Sequence, residues 1–263
     1  MRWRCTMTGG HNDGYPQPFF EATVAQTKLA SGTGAVYTDF SLAANGYRGI
    51  FWNASMAMDA ALEGHIASWS GLRVLELGAG TGLLAIRMAQ RGAYVLATDQ
   101  NVDELLANVE TARAPARVKD TGLELDVRLA VERVEWGLDA FQRRWRRSLQ
   151  NQSPTRAELC AEDDTEWWDQ QLRSTQVIVT VETVYDEASH DALLDTLVLI
   201  FQKSPSAVLY MSFLDRPFSM MFLVKLNDTR VDDSKFMVQP LSVMKQTSFE
   251  SLHIYRITLA QRQ

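Results

Sequence analysis

The chain has 263 residues, 46% hydrophobic and 22% charged, with a formal net charge of −6. This is an ordinary globular composition, enough for one large α/β domain, and its acidity gives no bulk attraction to nucleic acid or anionic membrane. Two cysteines, Cys5 and Cys160, and four scattered histidines, His11, His65, His190 and His253, exclude a disulfide framework and a metal motif.

Arg2 and Arg4 have no apolar stretch behind them, and no apolar run approaches membrane-spanning length. The expectation is an intracellular protein with reduced thiols, cytoplasmic or nuclear, with no signal peptide.

Residues 1–48 show no clean hydrophobic period and are broken by Gly9-Gly10, Gly14, Pro16, Pro18, Gly32 and Gly34. Phe19-Phe20 and Val24 suggest at most a small strand. The expectation is an extension packed on a domain spanning 49–263. A helix begins after Gly49-Ile-Phe-Trp-Asn53, with Asn53 as N-cap. Trp52 is either a core aromatic or a wall of a ligand cleft.

The segment Leu72-Arg-Val-Leu-Glu-Leu-Gly-Ala-Gly-Thr-Gly82 follows. Its apolar run suits a parallel strand covered on both faces. Gly78, Gly80 and Gly82 then lead into a helical pattern through Leu83, Leu84, Ile86, Met88 and Ala89. Strand, Gly-rich turn and helix is how an open α/β sheet presents backbone N–H groups to a ligand. The next strand, at 94–99, ends on Asp99, at the usual distance for an acid that binds ribose hydroxyls.

Two cofactors compete here. The dinucleotide fingerprint counted from Gly78 puts Leu83 where the third Gly belongs, and the shifted frame Gly80, Gly82, Ala85 starts inside the turn. Glu76 lies under the turn, where it would repel a pyrophosphate but can hold turn backbone or an ammonium group. S-adenosylmethionine has an ammonium, a ribose and no phosphate, and suits Glu76, Gly78, Gly80 and Asp99 better. A turn that merely permits tight packing would leave both acids unexplained.

Beyond Asp99, Leu105, Leu106 and Val109 share a helical face and Pro115 and Gly122 end the element. Asn108 on that helix reads as a packing or capping group. Alternation over 125–131 predicts a third strand leading to Glu135-Trp136-Gly137. Trp136 either offers its flat face to a purine, worth about 1–3 kcal/mol, or covers the sheet edge. Leu138, Phe141, Trp145 and Leu149 predict an amphipathic helix, with Arg143, Arg144, Arg146 and Arg147 mostly outward, either as a solvated helix face or as a nuclear-localisation or nucleic-acid patch. Residues 151–164 read as an exposed polar loop or insertion carrying Glu162-Asp-Asp-Thr-Glu166, then Trp167-Trp168; this acidic loop can pair with the basic helix or attract a Lys-rich partner.

A strong strand at 176–182 runs into Glu182-Thr-Val-Tyr185. Ligands bind beyond the carboxyl ends of parallel strands, which places Glu182 and Tyr185 beside the reacting group. The alternative is a capping acid and a packing ring. Ser189 caps a helix over 191–202; a strand at 206–213, a helix at 218–226 and a hairpin of 236–243 with 248–259 complete the chain.

Glu76-Leu-Gly-Ala-Gly-Thr-Gly82 followed by Asp99 resembles the class I, S-adenosylmethionine-dependent methyltransferases. The Gly-x-x-Trp52 lead-in, the Glu135-Trp136-Gly137 segment and the acid-x-x-Tyr of Glu182 and Tyr185 resemble methyltransferase family 16, the protein-lysine methyltransferases, most of all the branch of methyltransferase-like protein 22. The resemblance implies a Rossmann-like sheet of seven strands in the order 3-2-1-4-5-7-6 with helices on both faces. It implies Trp52 and Trp136 beside the cofactor, and Glu182 and Tyr185 as catalytic residues. The implied product is S-adenosylhomocysteine, the partner a protein bearing the target lysine, and the state a monomer, with neither membrane nor metal. A methyltransferase acting on RNA or a small molecule, and a binding module that kept the fold, remain alternatives; Glu in place of Asp at 182 faintly favours the latter.

Overall fold

The computed structural model describes residues 53–118, 128–137, 164–216, 218–245 and 251–260. The 1–48 extension, Trp52, the Arg-rich segment at 138–149 and the polar segment at 151–163 lie outside the described residues.

In chain order the elements are α1 (Asn53–His65), β1 (Arg73–Leu77), α2 (Leu83–Gln90), β2 (Tyr94–Asp99), α3 (Asp103–Val118) and β3 (Leu129–Arg133). Then come α4 (Asp164–Ser174), β4 (Val177–Val181), α5 (His190–Lys203), β5 (Val208–Leu214) and α6 (Ser219–Asp228). The chain closes with β6 (Arg230–Val231), β7 (Ser234–Lys245) and β8 (Ser251–Leu259). The sheet order is β3-β2-β1-β4-β5-β8-β7-β6. The first five strands are parallel, and β8 and β7 join antiparallel. Setting aside the two-residue β6, this is the expected order 3-2-1-4-5-7-6, that of the class I methyltransferase fold.

Strand side chains alternate between the two faces. Val74, Val95, Ala97, Val177 and Val179 pack with Met58 and Leu62 of α1, Leu84 and Met88 of α2, and Leu105 and Val109 of α3. Leu75, Leu77, Leu96, Ile178 and Met211 pack with Trp168 and Leu172 of α4, Leu197 and Ile200 of α5, and Phe222 and Leu226 of α6. Helices therefore cover both faces. Buried Asp59 of α1 holds α2 in place, 2.7 Å from Arg87 Nε and 2.5 Å from Arg91 Nη1.

Four sequence expectations need correction. Pro115 does not end α3, which continues to Val118. The buried face of Leu105, Val109 and Ala112 sets that helix, and a late Pro removes only one N–H. The third strand spans Leu129–Arg133 rather than 125–131. The acidic Trp-Trp sequence is helix α4, because Trp168 and Leu172, four apart, both bury. Ser189 makes no side-chain cap of α5; Asp186 takes the capping role one turn earlier, accepting from Ala188 N at 3.0 Å. The other strands and helices predicted within the described residues lie within a few residues of the observed ones.

Among the described residues no helix is long and apolar enough to cross a membrane.

Candidate active site

All five parallel strands point their carboxyl ends the same way, and the order of connection reverses between β1 and β4. That switch point is where open α/β sheets bind ligands. Glu76, the Gly-rich turn, Asp99, Trp136, Glu182 and Arg216 all lie at or just beyond this end.

Glu76 occupies a strand position opposite Ala97 and Val179 and is buried. Its carboxyl accepts the backbone N–H of Ala85 in the first turn of α2, while Oε2 has no hydrogen-bond partner. Burial, and secondarily the charge of Asp99, push its pKa up to about 8, and the Ala85 N–H offsets only part of this. A buried acid with an unsatisfied oxygen is costly unless a cationic partner arrives.

The turn itself is tightly built. Thr98 O accepts both Gly78 N and Ala79 N at 2.9 Å, and Gly82 N donates to Ala79 O at 2.9 Å. Gly80 N donates to Asp99 Oδ2 at 2.9 Å, while Asn101 N donates to Asp99 Oδ1 at 2.9 Å. A Cβ on Gly78, which has φ +70°, would lie 2.7 Å from Thr183 Cγ2 and 3.2 Å from Trp136 Cζ2. At Gly80 a Cβ would meet nothing within 4 Å. The space above Gly80 is therefore open, whereas Gly78 is closed over by Thr183 and Trp136.

Trp136 follows β3, whose end is tied to β2 by Val134 N donating to Asp99 O at 2.9 Å. Gly137 N donates to Thr196 Oγ1 of α5 at 2.9 Å and fixes this segment. The indole is half-buried against the core as well as against Gly78, so it both covers the sheet and borders the turn.

Glu182 directly follows β4 with φ 56°, uncommon for a residue bearing a side chain. Its N–H donates to Ser212 O at 2.8 Å. Its buried carboxylate accepts Leu214 N through Oε1, and Oε2 lies 2.9 Å from Arg216 Nη1. Thr183, next along the chain, shares a 2.6 Å hydrogen bond with Thr180 and touches the Gly78 turn. Tyr185 stands 59% exposed at the rim.

The sequence-predicted Glu76, Gly78, Gly80, Asp99 and Trp136 thus come together, with Glu182 joined to them through Thr183. Sequence reasoning missed Arg216, Thr183 and the exact task of Asn108, whose Nδ2 donates to Thr81 O at 2.9 Å and ties α3 to the turn. Nothing local signals Arg216, because its partner is 34 residues away.

These groups fit S-adenosylmethionine. The N–H groups of Gly78, Ala79, Gly80 and Gly82 already donate within the protein, and the Ala85 N–H faces a carboxyl. A dinucleotide pyrophosphate needs such donors free. An ammonium group, by contrast, matches the unpartnered oxygen of Glu76. Asp99 has used one lone pair on each oxygen, and the others can accept ribose hydroxyls.

The topology and this site define the class I methyltransferase fold. Residues 41–143 match a family described as "Lysine methyltransferase". Over 100 residues the chain is 32% identical to the mouse protein "Protein N-lysine methyltransferase METTL21A". That similarity covers 36% of this chain and 42% of the mouse protein, so the matched part is under half of the curated relative's length. The magnesium protoporphyrin IX methyltransferase of Synechocystis PCC 6803 with bound SAM superposes with a TM-score of 0.45 at 12% identity, covering 86% of each chain. Its form with bound SAH gives 0.42 at 15% identity, covering 79% of this chain and 83% of the other.

Proposed function

We propose that the chain is an S-adenosylmethionine-dependent methyltransferase that transfers a methyl group to the side-chain amine of a lysine in a protein. The observation that carries the cofactor assignment is Glu76: a buried carboxyl, one oxygen unsatisfied, beneath a turn whose N–H groups are already engaged. The family match over residues 41–143 supports lysine as acceptor. The finer placement in the branch of methyltransferase-like protein 22 rests on Glu182, Tyr185 and the helix after them. The domain is proposed to span 49–263, with 1–48 as an extension of a monomer.

When bound, the cofactor supplies a methyl carbon on a sulfonium, an already activated leaving group. The protein's task is then positioning and electrostatics. Glu76 binds the ammonium, Asp99 the ribose hydroxyls, and Gly80 leaves room above the turn. Trp136 borders the cofactor with its aromatic face, a role that the family resemblance also implies for Trp52. Tyr185 lines the approach of the lysine stem and tolerates the methylated cation. Glu182, held by Leu214 N and Arg216, is a fixed rather than mobile carboxylate. Its role is to orient the amine and stabilise the positive charge that grows on it. A partly desolvated approach keeps the lysine neutral.

A radiolabelled-methyl screen of protein extracts tests this, with Glu182→Ala, checked to keep its affinity for S-adenosylhomocysteine, as control. The reading requires label in protein that resists ribonuclease, maps to lysine and disappears in the control. Label in RNA alone, or none with cofactor bound, contradicts it.

A further inference from the structure

Ten large hydrophobic side chains are exposed among the described residues, and five of them fall on two touching segments. Tyr185 is 59% exposed, Phe218 52%, Met220 39%, Met221 46% and Val224 52%. The segments meet where Ser219 Oγ donates to Val184 O at 3.3 Å, so Tyr185 and Phe218 each lie one residue from the contact. Met220, Met221 and Val224 share the outer face of α6, whose inner face buries Ser219, Phe222 and Leu226. A soluble surface helix places polar groups on such a face; here it presents thioethers and a branched alkyl. Concentrated exposed apolar surface marks an interaction site, and methionine adapts to partners of varied shape.

The charges around this strip narrow the partner. Its neighbouring cations are engaged: Lys225 Nζ lies 2.7 Å from Asp191, and Arg216 2.9 Å from Glu182. Beside Tyr185, Asp186 and Glu187 are both exposed, and Asp215 beyond β5 is half-exposed. The surface is apolar with an acidic margin. It is ill suited to phosphate or an acidic peptide and complementary to a basic, apolar one.

We infer that the strip from Tyr185 along α6 is the docking surface for the methyl acceptor, and that it selects protein segments in which large apolar residues flank the target lysine. The lysine enters past Tyr185 and the acidic margin, while its apolar neighbours lie on Met220, Met221 and Val224. This inference rests on the lysine-methyltransferase reading and adds the class of segment it accepts.

Two peptides with a central lysine test it, one flanked by Leu and Phe and the other by Ser at the same positions. Binding to the full chain with S-adenosylhomocysteine is followed by fluorescence anisotropy, and methyl incorporation by radiolabel. The apolar peptide should bind at least about tenfold more tightly. The Met221→Ser/Val224→Ser variant should erase that preference while keeping its affinity for S-adenosylhomocysteine. Equal binding of the two peptides, binding of neither, or a preference that survives in the variant overturns the inference. So does a lower mass for the variant in sedimentation, since the strip then joins copies of this chain. Apolar preference without methyl incorporation into either peptide upholds the docking surface and counts against the lysine-methyltransferase reading. Methylation of both peptides alike does the reverse.

Discussion

Arg216 Nη1 lies 2.9 Å from Glu182 Oε2, and the Glu182 side chain is almost wholly buried. With Leu214 N on the other oxygen, the carboxylate clips together the ends of β4 and β5. It fixes the backbone from which Thr183 reaches the Gly-rich turn and Tyr185 reaches solvent.

Removing Arg216 leaves a buried carboxylate uncompensated. Arg216→Ala should lower stability by about 3 kcal/mol in urea unfolding, and Glu182→Gln added to it should recover a large part. Two additive losses would show that the pair does not interact.

Gly78 and Gly80 both have positive φ but differ in surroundings. Gly78→Ala meets Thr183 and Trp136 and should cost about 2–3 kcal/mol, whereas Gly80→Ala bears only the backbone strain of about 1 kcal/mol. Gly80→Ala should instead weaken S-adenosylhomocysteine binding, because its methyl enters the space assigned to the ligand. Thermal unfolding and calorimetry on both variants separate the effects.

Glu76 makes the ligand-free protein pH-sensitive. Its folded-state pKa is raised from 4.5 to about 8, so between these values the folded form holds a proton that the unfolded chain has released. Stability therefore falls as pH rises from 4.5 towards 8 and levels off above, the sign expected for a raised acid. Glu76→Gln should remove this slope in urea unfolding at pH 5, 6.5 and 8. Cofactor binding should release a proton at pH 7, seen as a buffer-dependent calorimetric enthalpy, and Glu76→Gln should bind weakly without release.

Asp99 holds Gly80 N and Asn101 N, and we propose that its remaining lone pairs take the ribose hydroxyls. Asp99→Ala should weaken S-adenosylhomocysteine by at least about tenfold, the worth of one charge-assisted hydrogen bond. Unchanged affinity would remove Asp99 from the cofactor site.

The sheet and its ligand end were readable because they rest on local pattern. Val74 to Leu77, Gly78 to Gly82 and Asp99 state strand, turn, helix and acid within one βαβ unit, and the register then follows from two-residue alternation. Helix α4 was not readable, because its buried stripe is only Trp168 and Leu172 in a polar stretch. Pro115 misled because a helix with a well-buried face tolerates one missing N–H near its end. Ser189 misled because Asp186, three residues earlier, competed for the cap. The Glu182–Arg216 pair was invisible because it is closed by the sheet and not by any period; acid-x-x-Tyr located one partner only.

The most direct measurement is calorimetric titration of the full chain with S-adenosylhomocysteine and, on the same sample, with NAD. Binding of S-adenosylhomocysteine, with proton release that Glu76→Gln abolishes, and none of NAD, is the predicted result. Binding of NAD, or of neither ligand, would contradict the assignment of this turn to S-adenosylmethionine and with it the methyltransferase activity.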